Sequence, residues 1–413
     1  MLDIQFIRDN RELVEQSAAA KGTKVDISKL LAADEQRRKL IAEIETLRAD
    51  RNNLASNGPA ASPSAENIEK GKDLKKNIAE KQAALEPVEA EFNELLKDIP
   101  NVIPDDTPAG GEEANQPIKQ WGEAEKKSVL DHVTWGEKRD LIDFERGAKV
   151  AGAKFYYLKG GLVELELAVF QFGLTLATKY GFMPMTVPHM VNSRIASGTG
   201  FLPRGEEAQI YKIVDQDLNL IATAEMPLTG YHADEIIDVA KPLLYVGLSP
   251  AYRVEAGAYG KHSKGLFRVH QFNKLELYIF CQPEASEQLH QDLIELEEEF
   301  CQALEIPYQL TRIAAGDLGA PAYKKFDIEY WSPVDGAYRE LMSCSNVTDY
   351  QARRLNIRYR TPEGKTAYVH TLNGTAAAFS RVAIAMIENH QQKDGKLAIP
   401  KALQAFMGGK TQI

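Results

Sequence analysis

Between Leu243 and Phe280 the chain sets arginines, carboxylates and an aromatic ring at spacings suited to a flat, phosphorylated ligand. The run LLYVGLSPAYRVEAGAYGKHSKGLFRVHQFNKLELYIF reads as two strands joined by a glycine-rich basic loop, Gly257 to Gly265, holding Lys261, His262 and Lys264. Strand side chains alternate between faces. That parity puts Arg253 and Glu255 on one face with Val254 on the other. In the second strand it groups Arg268, His270, Phe272, Lys274, Glu276 and Tyr278 opposite Phe267, Val269, Leu275, Leu277 and Ile279. One wetted face is the ordinary outcome of such alternation. Here the wetted face also carries Phe272, whose ring suits a nucleobase, and guanidinium forks match phosphate oxyanions. The composite is an ATP-binding surface.

The elements that must hold this surface are spread over 413 residues, enough for two or three domains and a large core. Hydrophobic content of 44% and charged content of 26% are those of a soluble globular protein. No apolar run is expected to span a bilayer, and MLDIQFIRDNRELVEQ lacks a signal-peptide core, so a cytoplasmic protein is expected. Cys281, Cys301 and Cys344 show no metal-type spacing with histidine, which argues against structural zinc and against disulfides. The formal charge of -10 argues against a general nucleic-acid coat but leaves room for a local basic patch.

In chain order, a short helix is expected around Asn10 to Ala20, ending near Gly22. From Ser28 the pattern becomes a heptad seam, Leu40, Ile44, Leu47, Arg51 and Leu54, and after ASNGPAASPS it returns through Leu74, Ile78, Lys81, Leu85, Val88, Phe92 and Leu95. Two antiparallel helices around a turn follow, a coiled-coil hairpin over about 28–97, with Pro87 expected to kink the second. Its outer half tilts basic through Arg37, Arg38, Lys39, Arg48, Arg51, Lys70, Lys72, Lys75, Lys76 and Lys81, cations that can neutralise phosphates. A rigid spacer or dimerisation rod is the plainer reading of such an arm. Residues 99–122 read as a proline- and glycine-rich link, dividing 1–110 from 111–413. Beyond it, Leu162 to Lys179 reads as a helix and 209–229 as containing a strand that ends at Thr223, Ala224, Glu225. Residues 283–304 form an amphipathic helix with Leu289, Leu293, Leu296 and Phe300 inward, read as core.

The run from Arg253, Val254 and Glu255 through Gln271, Phe272, Asn273, Lys274, Leu275 and Glu276 resembles motif 2 of the bacterial-type seryl-tRNA synthetases, a class II aminoacyl-tRNA synthetase family. Met183 to Met190, with Pro184 and Pro188, is similar to motif 1. Thr371, Leu372, Asn373, Gly374 and Thr375, leading into a helix with Arg381 and Glu388, resemble motif 3. Tyr338 to Asn346 is similar to the strand that holds ATP and its magnesium in that family. The resemblance covers essentially the whole chain. It implies an α+β fold, a helical arm followed by a catalytic domain on an antiparallel sheet flanked by helices, and a homodimer built through motif 1.

The same resemblance implies a two-step reaction: serine and ATP give seryl-adenylate, and tRNA(Ser), or tRNA(Sec) where present, then accepts the seryl group. The arm would grip the tRNA by shape. Thr223, Ala224, Glu225, Arg253, Glu276 and Thr375 would bind serine, Glu225 facing its ammonium and Glu276 and Thr375 its hydroxyl. Arg253 would clamp the α-phosphate and the serine carboxylate, and Arg381 the γ-phosphate. Phe272 would stack on adenine, with Glu255 and the Val269 backbone at its edge. Val254, Arg268, Glu340, Leu341, Met342 and Ser343 would complete the ATP site, with Glu340 and Ser343 as Mg²⁺ donors. Two alternatives stand beside this: a paralogue loading a carrier protein with another small amino acid, and a non-catalytic tRNA-binding protein.

Overall fold

The structure, a computed structural model, describes residues 1–56, 65–201, 210–255 and 264–413. The chain divides into two compact units, Met1–Val102 and Ile103–Ile413. The tip of the expected helical hairpin and most of the glycine-rich basic loop, with Lys261 and His262, lie outside the described residues.

In the first unit, α1 (Ile4–Asp9) starts on Asp3, whose carboxylate accepts the N–H groups of Gln5 and Phe6. The next helix, α2 (Arg11–Ala20), stops at Gly22, which has φ +69°. Gly22 N–H reaches Ala19 O and Thr23 N–H reaches Ala18 O, the bond pair of a left-handed helix stop. Two long helices follow, α3 (Ile27–Ser56) and α4 (Ala65–Lys97), which pack against each other. Their seam buries Ile44, Ile78, Val88 and Phe92, all expected from the 4, 3 spacing. Arg51, placed in that seam by its position, is exposed, because a guanidinium at the distal end keeps its hydration. Helix α4 runs through Pro87 without interruption. Of the basic residues, Arg37 and Arg38 pair with Asp34, Lys70 with Glu66 and Lys81 with Glu43. Arg48, Arg51, Lys72, Lys75 and Lys76 are exposed and make no ion pair among the described residues.

The second unit is built on an eight-stranded sheet: β1 (Gln116–Trp121), β2 (Met183–Thr186), β3 (Leu243–Tyr252), β4 (Gln271–Cys281), β5 (Tyr308–Arg312), β6 (Lys324–Ser332), β7 (Ala337–Thr348) and β8 (His370–Ala378). Their spatial order is β1-β5-β6-β7-β8-β4-β3-β2, antiparallel except where β2 runs parallel to β3. The first strand corrects the expected link over 99–122. Its side chains are largely exposed and lack an apolar face, so only its pairing with β5 reveals it as an edge strand.

Five helices complete the part of the unit that concerns the site: α5 (His132–Lys138), α6 (Gly161–Lys179), α7 (Glu225–Gly230), α8 (Ser286–Ala303) and α9 (Phe379–His390). One face of β4 sends Leu275, Leu277 and Ile279 into the main core with Leu165 and Val169 of α6, Leu293, Leu296 and Phe300 of α8, and Ile384 of α9. The opposite face sends Tyr278 and Phe280 into a second core with Leu228 of α7 and Leu355. By length and composition α6 could cross a membrane, contrary to the expectation from the apolar runs. Here eight of its residues are buried in the unit, the behaviour of a core helix. The three cysteines are free thiols buried in the same interior.

Candidate active site

A cavity of about 570 Å³ opens where β4, β7 and β8 meet the start of α9. From β4 come Phe272 and Lys274, from the chain just past β3 Arg253 and Glu255, and from the approach to β4 Phe267 and Val269. The hairpin pairs Leu243 with Phe280 through to Tyr252 with Gln271. Strand β3 therefore ends before Arg253, and Glu255 takes φ +49°. The Arg253 N–H still bonds His270 O at 3.0 Å, so Arg253 keeps the face expected from strand parity, and Glu255 reaches the same cavity where the chain then turns. Phe267 and Val269, assigned by parity to the apolar side, also line the cavity, since the stretch before Gln271 is not strand.

Two β-bulges aim the remaining residues. On β7, Glu340 lies opposite Glu329 and Met342 opposite Ile328, so Leu341 is the extra residue. The bulge lets Glu340 join Leu341, Ser343, Ser345 and Val347 on the cavity wall while Met342 turns into the core. On β8 the register slips between Thr375 and Ala377, and the lining set changes parity from Asn373 and Thr375 to Ala378.

The cavity is strongly charged. Arg381 donates from Nη1 to Glu340 O at 3.0 Å, pairs with its Oε2 at 3.0 Å, and lies 4.7 Å above the Phe267 ring. Arg253 lies 5.2 Å above the Phe272 ring. Burial works against the charge of Glu340, but Arg381, Lys325 and Arg253 outweigh it and hold its carboxyl down at about 2. Burial also disfavours the charge of Arg253; Glu255 supports it and Arg381 opposes it. Cations crowded in this way are relieved by a bound anion.

Thr223, Ala224 and Glu225 sit at the start of α7, not at the end of a strand; the strand that precedes them is Asn219–Leu220. Ala224 is buried in the second core and Thr223 behind the wall, where its hydroxyl donates to Glu276 Oε2 at 2.6 Å. Glu276 is buried, also contacts Lys274, and stands directly opposite Thr375 in the β4–β8 ladder. Of this group Glu225 and Thr375 reach the cavity. Glu225 Oε1 accepts from Gln351 Nε2 at 2.7 Å and Asn373 Nδ2 at 3.2 Å. Burial, with the Glu276 charge added, raises the Glu225 carboxyl to about 7.

Arg268 pairs with Glu255 at 3.1 Å and is half exposed, outside the cavity lining; Val254 and Met342 are outside it as well. Sequence reasoning missed Lys325, which lines the cavity and pairs with Asp327 at 3.1 Å, although Lys325 and Asp327 share a strand face in KKFDIEY. It also missed Glu297, whose carboxylate accepts the Thr375 N–H at 2.9 Å. The signal was present: with Leu293, Leu296 and Phe300, Glu297 completes an i, i+3, i+4, i+7 stripe, and a carboxylate on an apolar stripe needs a partner inside.

An antiparallel sheet flanked by helices, with a cavity walled by two partly buried arginines and an aromatic ring, is the core of a class II tRNA synthetase. Residues 211–390 match the family described as tRNA synthetase class II core domain (G, H, P, S and T). Residues 1–103 match the seryl-tRNA synthetase N-terminal domain. The chain is 46% identical to the serine--tRNA ligase of Dictyoglomus turgidum, covering 99% of this chain and 98% of that one. It is 44% identical to that of Treponema denticola, covering 99% of each. The crystal structure of seryl-tRNA synthetase from Pyrococcus horikoshii complexed with ATP superposes with a TM-score of 0.91 at 40% identity, over 100% of this chain and 99% of that one. The chain belongs to the seryl-tRNA synthetase family.

Proposed function

We propose that this enzyme, a serine--tRNA ligase, uses the cavity to activate L-serine with ATP and then loads tRNA(Ser). In the first step a serine carboxylate oxygen attacks the α-phosphorus in line, forming the acyl–phosphate bond as pyrophosphate departs. In the second, the terminal ribose hydroxyl of the tRNA attacks the seryl carbonyl and AMP leaves. Little proton transfer is needed in the first step, so positioning and charge stabilisation carry it. The observation that supports this most is the gathering of Arg253, Arg381, Phe272 and Glu225 around one cavity.

Arg253 neutralises the α-phosphate and the serine carboxylate, Arg381 the γ-phosphate, and Phe272 offers a ring face to adenine. Glu225 meets the serine ammonium, while Thr375, backed by Glu276 and Thr223, senses the hydroxyl. A site built around that hydroxyl leaves polar groups unpaired when alanine binds, which can give discrimination of about 10⁴ or more. Mg²⁺ suits the donor set as a companion of the triphosphate. Glu340 and Ser343 face the cavity, and among the described residues no group of three or more His, Cys, Asp or Glu could cage the ion alone. Magnesium is characteristically held by one or two carboxylates together with substrate phosphates, whose charge it neutralises.

The arm, within the expected 1–110 unit, would receive the tRNA, with Arg48, Arg51, Lys72, Lys75 and Lys76 presented to its phosphates. A homodimer working in the cytoplasm belongs to the same reading, and the subunit interface it needs is supported by the exposed apolar Leu167 on α6 and Met183 on the neighbouring β2. A carrier-protein paralogue would have no use for the cationic arm, and a non-catalytic binder none for the charged cavity. The direct test is loading of a tRNA(Ser) transcript with labelled serine in the presence of MgATP. Acid-precipitable serine that depends on ATP and on the tRNA is expected; transfer to no tRNA would refute the reading.

Glu225 gives this reading a pH signature. Its raised pKa means the buried carboxyl is protonated below about 7 and cannot pair with an ammonium. The value of kcat/KM for serine is therefore expected to climb about tenfold per pH unit up to about 7 and then to level off. Glu225→Gln should remove that inflection. The stability effect has the opposite sense: a raised carboxyl pKa favours the folded state at low pH, and that contribution is lost as pH rises through about 7. Glu225→Gln should thus raise KM for serine while raising Tm at pH 8, measured by steady-state exchange and calorimetry.

A further inference from the structure

We propose that His132 is a positioning residue for the active site, acting through the backbone of Leu266 on the ring that carries Arg381. The inference rests on the activation chemistry proposed above. The turn Gly265–Phe267 brings the chain back toward β4, and Phe267 lies under the Arg381 guanidinium, 4.7 Å from its ring centroid. Its central N–H, that of the buried Leu266, donates to His132 Nε2 at 3.2 Å. A nitrogen that accepts an N–H carries no proton, so the proton of the neutral ring is on Nδ1. Nδ1 lies 3.3 Å from Glu388 Oε1, and Glu388 Oε2 accepts from Ser332 Oγ at 2.6 Å. His132, Glu388 and Ser332 are all buried. The carboxylate thus selects the tautomer that can hold the turn.

The arrangement closes on itself. Arg381 and Glu388 are seven residues apart, two turns along the same face of α9. One end of that face touches the turn through the Phe267 ring, and the other reaches it through His132. Gly265 makes the approach possible: it has φ +61°, and a Cβ there would lie 2.2 Å from His132 Nε2. Loss of the histidine frees the turn, and the arginine above Phe267 loses its seat. The serine end of the cavity is held by a separate set of bonds, through Gln351, Glu297 and Glu276.

The test uses the full-length enzyme and serine-dependent exchange of pyrophosphate into ATP. His132→Ala is expected to lower kcat about 10- to 100-fold, the scale of a misplaced catalytic group, and to raise KM for ATP while KM for serine stays within about twofold. Glu388→Gln keeps an acceptor for Nδ1–H and should remain within about threefold of wild type. Glu388→Leu should match His132→Ala, and the double variant His132→Ala/Glu388→Leu should be no worse than either, as for residues that act as a unit. A folded His132→Ala with unchanged kcat and ATP KM would overturn the proposal. Where the alanine variant fails to fold, ¹⁵N NMR of the wild-type imidazoles, with His132 assigned from His132→Gln, decides the matter. An unprotonated Nε2 and protonated Nδ1 are expected; the other tautomer, or an imidazolium at neutral pH, would overturn the proposal. Wild-type exchange with serine in the same assay separates failure of this inference from failure of the functional reading beneath it.

Discussion

Arg253→Ala is expected to reduce serine-dependent pyrophosphate exchange by about 10² to 10³, the cost of removing one preorganised charge from a developing phosphoryl transition state. The guanidinium is fixed in place, lying over Phe272 with Nε 3.4 Å from Ala222 O, so little reorganisation is needed when charge builds on the phosphorus. Its neighbourhood makes the cation costly without a ligand, because burial and Arg381 both disfavour it. That cost is relieved when an anion binds, and more so as charge accumulates during attack. Arg253→Lys should recover little, since an ammonium is a point charge without the planar fork that spans two oxygens. The measurement is exchange at saturating serine and ATP with circular dichroism as a folding control. Retention of more than a tenth of wild-type kcat by the alanine variant would remove Arg253 from the mechanism.

Replacing Arg48, Arg51, Lys72, Lys75 and Lys76 together by alanine should raise KM for tRNA on the order of 10²-fold at physiological salt, because each lost phosphate contact also loses released counterions. The dependence of log KM on log salt should become shallower by roughly 0.7 to 0.9 for each phosphate contact removed. Exchange of pyrophosphate without tRNA should stay at the wild-type level, since all five residues belong to the first compact unit and the cavity to the second. An unchanged tRNA KM would move the tRNA-binding surface off these residues.

What could be read in the sequence depended on periodicity. Phe272, Lys274, Glu276 and Tyr278 part cleanly from Leu275, Leu277 and Ile279 because β4 is regular from Gln271 to Cys281. The Ile44, Ile78 and Phe92 seam was legible for the same reason. The reading lost its footing where regularity ends. The bulge at Leu341 puts Glu340 on the same wall as Ser343, three residues on, where strict alternation separates them. Only the family resemblance had grouped those two. Strand β1 escaped because an exposed edge has no apolar alternation to show, and Glu297 because its inward position on α8 was credited wholly to its leucine neighbours. Distances such as His132 to Leu266 span 134 positions and leave no local trace.

Amino-acid-dependent exchange of labelled pyrophosphate into ATP, run without tRNA on serine, threonine, alanine and glycine, bears most directly on the activation step. Exchange is expected with serine, with alanine and glycine slower by about 10⁴ because they leave the hydroxyl-sensing groups unpaired. Preferred exchange with another of the four amino acids, or none with any by a folded protein, would contradict the assignment of the cavity to serine activation.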